Sequence, residues 1–141
     1  MLKYCQKAKN MVFLLDFKWE EKMPSVLIVD DSMVMRKSLN SMLTQAGYTV
    51  IAEAADGDEA VKLFGAHHPD IVTLDLNMPK MNGLDVLRQV MKTNPDAKFV
   101  VISAVEDKET VMEALKLGAK YYILKPVTYD KVLETMKRVG Q

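Results

Sequence analysis

The stretch that decides the fold is Ile71 to Gly83, IVTLDLNMPKMNG. Ile71, Val72, Thr73 and Leu74 form the β-branched, apolar run expected of a parallel strand buried on both faces, and it stops at a carboxylate, Asp75. Leu76 to Gly83 follow with an Asn, a Met-Pro and an Asn-Gly, all loop signals, and apolar residues then return at helical spacing from Leu84 to Met91. Asp75 therefore lies on a strand-to-helix loop, where α/β proteins gather ligands and chemistry. A lone aspartate there would ordinarily just end a strand or begin a turn. Its weight depends on what the other strand ends carry.

Upstream, Val26 to Val29 reads as a buried strand ending at Asp30-Asp31. Ser32 suits a helix N-cap, with Val34, Met35, Leu39, Met42 and Leu43 as the apolar stripe and Gly47 as the stop. Tyr48 to Ala52 is a second strand, and Asp56-Gly57 turns the chain into a helix marked by Ala60, Val61 and Phe64, which runs out at His67-His68 before Pro69. Downstream, the helix with Leu84, Val86, Leu87, Val90 and Met91 ends at Asn94-Pro95-Asp96. Phe99 to Ile102 is a fourth strand closing at Ser103, and a helix from Lys108 to Leu117 uses Val111, Met112 and Leu115 before Gly118. Tyr121 to Leu124 is a fifth strand closing at Lys125-Pro126, and the last helix, Thr128 to Val139, buries Val132, Leu133 and Met136. Five strand-helix units with short connections define an α/β class, a doubly wound parallel sheet with helices on both faces.

The chain's 141 residues suffice for one domain with one sizeable core. Acids and bases balance at 19 each, which gives no reason to expect nucleic acid as a direct partner, and no apolar run approaches the ~18 residues of a membrane span. A single cysteine, Cys5, favours a reducing, cytoplasmic setting. Residues 1–23 differ from the rest, with 5 lysines against 3 acids and a short apolar patch, Met11 to Leu15, below the ~7 residues of a signal-peptide core. They are expected to be an added N-terminal extension, disordered or a short helix using Val12, Leu15 and Trp19, ahead of a functional unit at 24–141.

In a right-handed parallel sheet the residues just past the strand ends share one rim. Here that rim carries Asp30, Asp31, Asp75, Ser103 and Lys125. Three crowded carboxylates repel at neutral pH, and a hard divalent cation held by oxygen ligands, most simply Mg²⁺, relieves the repulsion. With Lys125 as a fixed positive charge and Ser103 as a hydrogen-bond donor, the set reads as a phosphoryl-transfer site. Asp75 is its nucleophile, and Asp30 and Asp31 hold the metal.

These residues resemble the receiver domains of two-component response regulators, and within them the single-domain chemotaxis regulators. The resemblance covers about residues 25–139 and rests on Asp30-Asp31, the LDLNMPKMNG segment with Asp75, Ser103-Ala104 and Lys125-Pro126. It implies a flavodoxin-like sheet of order 2-1-3-4-5 and phosphorylation of Asp75 by a histidine kinase. It implies Mg²⁺ bound by Asp31, Asp75 and the Asn77 carbonyl, with Asp30 reaching it through water, and a cis Lys125-Pro126 bond. Tyr122 matches the aromatic switch residue, with Tyr121 as its competitor. A downstream effector protein is implied, as is a monomer, with dimerisation on phosphorylation left open, as are a place in a larger regulator, a phosphorelay step or a phosphate sink. Serine stands where threonine is commoner at 103, which loosens the rotamer. Val105 is apolar where some relatives carry a group able to orient water, so slow to moderate self-dephosphorylation is expected.

Other classes fare worse on the same residues. A dehalogenase-type hydrolase needs a second aspartate two residues after the nucleophile, and Asn77 cannot move that proton. A flavin-nucleotide module would meet Asp30-Asp31 where its phosphate cradle should be. Nothing after Val139 could form a helix-turn-helix.

Overall fold

The computed structural model describes residues 23–140, so the expectation for the N-terminal extension lies, apart from Met23, outside the described residues. The described chain alternates strand and helix throughout: β1 (Ser25–Val29), α1 (Met33–Gln45), β2 (Thr49–Ala54), α2 (Gly57–His67), β3 (Ile71–Leu74), α3 (Gly83–Thr93), β4 (Lys98–Ser103), α4 (Lys108–Lys116), β5 (Tyr121–Leu124) and α5 (Tyr129–Val139). The five strands form one sheet in the order β2-β1-β3-β4-β5, every pairing parallel. This is the parallel sheet flanked by helices that the residues led us to expect, in the strand order that the family resemblance implies.

Strand alternation divides the core into two layers. Leu27, Val29, Val72, Leu74, Phe99 and Val101 face one side, where α2 supplies Phe64, α3 supplies Val86, Leu87 and Val90, and α4 supplies Ala114. Val26, Ile28, Ile71, Val100, Ile102 and Ile123 face the other, against Leu39 and Leu43 of α1 and Val132, Met136 and Val139 of α5. Helices on both faces explain why the strands read as unbroken apolar runs.

Each helix begins on a capping side chain. Ser32, Asp56, Asn82, Asp107 and Thr128 accept from the backbone N–H three residues on. Gly47 and Gly118 take positive φ just past α1 and α4. Two helix stripes need correction. Val34 is 80% exposed, and on α4 Met112 and Leu115 face solvent while Ala114 is buried. Packing against the sheet sets α4's inward face at Ala114, so a small residue is buried where the larger ones had been expected. β2 also runs two residues further than anticipated, to Ala54.

Candidate phosphoryl and cation site

The carboxyl ends of β1, β3, β4 and β5 are nearly level because their pairings run without a register shift. Val29 pairs with Leu74 across β1 and β3, and Ser103 pairs with Leu124 across β4 and β5. The ladder also continues one step beyond β1, β3 and β5. Asp30 N–H donates to Ala54 O at 3.0 Å, Asp75 N–H to Val29 O at 2.9 Å and Lys125 N–H to Ser103 O at 2.9 Å. Residues far apart in the chain are thereby fixed side by side before any side chain interacts.

Asp30, Asp31 and Asp75 each offer an oxygen to a common point, the three lying within 4.8 Å of one another. Asp30 and Asp75 are buried, at 1% and 5% exposure, while Asp31 stands open to solvent. Lys125 Nζ reaches into the pocket, 2.9 Å from Asp30 Oδ2 and 3.3 Å from Asp75 Oδ2. Burial alone would lower the Lys125 pKa, but the two carboxylates outweigh it and hold the ammonium above its usual value. One lysine leaves the pocket short of positive charge. Two unit charges at 4 Å repel by roughly 4 kcal/mol at an effective dielectric of 20, so the remaining imbalance favours a cation. An all-oxygen donor set with one open side suits a hard divalent ion such as Mg²⁺.

The second oxygens are also used. Asp30 Oδ1 accepts from Ser32 N–H at 2.9 Å, and Asp75 Oδ1 accepts from Asn77 N–H at 3.2 Å. Asn77 lies two residues further into the loop after β3 and is exposed. That loop is drawn tightly inward. A Cβ on Gly83 would lie 2.5 Å from the Asp75 carbonyl oxygen, and one on Gly57 would lie 2.2 Å from the Met81 carbonyl oxygen.

Ser103 is fully buried at the end of β4, and its Oγ accepts from Val105 N–H at 3.1 Å. Tyr122 packs against the α2–α4 layer, and its hydroxyl donates to Val105 O at 2.6 Å. Ser103 and Tyr122 therefore meet on one residue, Val105. Tyr121 points to the opposite layer. Burial raises the Tyr122 pKa, the Ser103 hydroxyl opposes that, and the charges of Asp107 and Asp75 add to the rise. The Lys125–Pro126 peptide is cis.

Sequence reasoning missed Arg36, which donates to Asp30 O at 2.8 Å. An arginine in the first turns of a surface helix looks no different in sequence from a solvated one.

A doubly wound sheet with acids, a lysine and a hydroxyl gathered at its carboxyl rim defines a class of signalling domain. The chain belongs to the response regulator receiver domain family, whose profile matches residues 26–137. It is 46% identical over 116 residues to the chemotaxis protein CheY of Thermotoga maritima, covering 82% of this chain and 97% of that protein. The CheY of Listeria monocytogenes is 43% identical over 119 residues, covering 84% of this chain and all of its own. Among solved structures, the CheX-CheY-BeF3-Mg+2 complex from Borrelia burgdorferi superposes with a TM-score of 0.81 at 41% identity, covering 83% of this chain and 89% of that one. Membership makes the protein a signalling switch of the response regulator type. No helix among the described residues is long and apolar enough to cross a membrane.

Proposed function

We propose that Asp75 is the phosphoacceptor and that the protein works as a stand-alone, chemotaxis-type regulator. The observation that carries this reading is Lys125 Nζ bridging Asp30 and Asp75 in a pocket where three acids converge. A histidine kinase is the donor. An oxygen of Asp75 attacks phosphorus in line, the P–N bond to the donor imidazole breaks, and the imidazole departs with its electron pair and takes up a proton. The transferred group stays on Asp75 as an acyl phosphate. Lys125 follows the developing charge on the phosphoryl oxygens, and Ser103 donates its hydroxyl proton to one of them while its oxygen keeps the Val105 N–H. Asp31, Asp75 and the Asn77 carbonyl would hold Mg²⁺, with Asp30 anchoring Lys125 and reaching the ion through water. When bound, Mg²⁺ neutralises charge on the phosphoryl group.

The output is a change in protein contact. Ser103 is drawn toward the phosphoryl group, Val105 moves with it, and the carbonyl that Tyr122 bonds is held or released accordingly. Tyr122 thereby couples the pocket to the β5 and α5 surface, where an effector protein docks. Residues 1–23 are an extension that this switching does not need. The protein acts in the cytoplasm and as a monomer.

Phosphotransfer from a histidine kinase, followed by capture of the effector, tests the reading. The phosphorylated protein should retain a partner that Asp75→Asn does not, and Tyr122→Ala should accept phosphate normally yet lose that partner. Equal capture by wild type and Asp75→Asn would refute the switch. A phosphate sink or a relay step would show as normal labelling with no phosphorylation-dependent effector.

A further inference from the structure

Asp30 is gripped from four directions. Its N–H is tied to Ala54 O and its two carboxylate oxygens to Ser32 N–H and Lys125, all within the strand, the cap or the pocket. The fourth grip comes from outside. Arg36, on α1 with its side chain 15% exposed, donates from Nη1 to the Asp30 carbonyl oxygen at 2.8 Å and from Nε to Glu53 Oε1 of β2 at 3.3 Å. Glu53 Oε2 in turn accepts from Asn40 Nδ2 at 2.8 Å, and Asn40 stands one turn beyond Arg36 on the same face of α1. Thr44 extends the chain, its Oγ1 donating to Asn40 Oδ1 at 3.0 Å.

The fold does not call for this contact, since beside it β1 and β2 already pair in register from Leu27–Ala52 to Val29–Ala54 and Ser32 already caps α1. Taking a guanidinium mostly out of water is costly unless something is gained. The peptide is planar, so holding the Asp30 carbonyl oxygen also holds the Asp31 nitrogen and the direction in which the Asp31 Cα leaves β1. Asp31 is the exposed member of the acidic cluster, the one that its surroundings orient least. We infer that Arg36, itself held by Glu53, is a positioning residue for the cation pocket, aiming the Asp31 carboxylate through the peptide that joins it to Asp30.

This inference rests on the cation reading proposed above, and the test separates the two. The full chain is titrated with Mg²⁺ by calorimetry and melted with and without Mg²⁺. The variants are Arg36→Ala, Arg36→Lys and Glu53→Gln, with Arg138→Ala, an exposed pair with Glu134, as control. Arg36→Ala should weaken Mg²⁺ binding by about tenfold or more, as loss of an outer partner of a metal ligand does. Arg36→Lys should recover part of the loss, because one ammonium cannot serve both Asp30 O and Glu53 as the fork does. Glu53→Gln should lose less than Arg36→Ala, and the double variant no more than Arg36→Ala alone, because Glu53 acts through Arg36. Lower melting with an unchanged Mg²⁺ dissociation constant in Arg36→Ala and Glu53→Gln would reduce the network to a structural strut and overturn the inference. Should Arg36→Ala not fold, Arg36→Lys and Glu53→Gln decide in the same way. A wild type that does not respond to Mg²⁺ would remove the cation reading itself.

Discussion

Asp30 and Asp31 are adjacent in the chain and identical in chemistry, yet one is 1% exposed and the other open to solvent. That division was not legible in the Asp-Asp pair, because it depends on the ladder continuing through Asp30 to Ala54 and on Lys125 arriving from β5. It leads to a prediction. Asp31→Asn removes one of three mutually repelling charges without cutting either Lys125 ion pair. Metal-free protein carrying it should therefore be more stable than wild type by about 1 kcal/mol in chemical denaturation, and should gain little on adding Mg²⁺. A second residue also stands against its surroundings. Thr73 Oγ1 is the buried side-chain atom with no hydrogen-bond partner among the described residues, in the centre of β3. Thr73→Val keeps the shape and removes the orphaned hydroxyl, so it should raise stability by roughly 1 kcal/mol. A loss of that size would mean the hydroxyl has a partner, such as a water.

Among the elements, α2 offers one substitution with two opposite outcomes. Gly65 lies on its exposed face with nothing near a built Cβ, and Gly65→Ala should stabilise by up to about 1 kcal/mol through helix propensity. Gly57 opens the same helix, where a Cβ would collide with backbone of the loop carrying Met81, and Gly57→Ala should cost about 1–3 kcal/mol. Thermal melts of the two variants check both signs. Gly57→Ala should also slow phosphoryl labelling at Asp75, the proposed acceptor, because that loop begins there. Helix α4 has a pH-sensitive start. Hydrogen bonds from the Thr110 hydroxyl and then its N–H hold the Asp107 carboxyl below its ordinary value of 3.8. Its contribution is therefore present above that value and lost as pH falls through the lowered one. Asp107→Asn should keep the cap but flatten the acid limb of the stability profile. Most strand ends and the Ser32 cap were legible from sequence, whereas Asp56 and Asn82 read as turn and loop residues and Asp107 carried no signal of its own. The facing of α4 was not. In a nine-residue helix, Val111, Met112 and Leu115 allow more than one inward face, and only packing against the sheet selects Ala114.

At the scale of the whole molecule, parallel strands with right-handed crossovers must place their carboxyl ends on one rim, which is why the site could be assembled from sequence before any distance was known. Strand order came from the family resemblance, and the meeting of Ser103 and Tyr122 on Val105 shows only in the folded structure. The most direct measurement of the central claim is the intact mass of the protein after exposure to a small phosphodonor with and without Mg²⁺. Wild type should gain one phosphoryl group in a Mg²⁺-dependent way, Lys125→Ala should gain it much more slowly, and Asp75→Asn should gain none. Asp75→Asn labelled as readily as wild type would contradict the account.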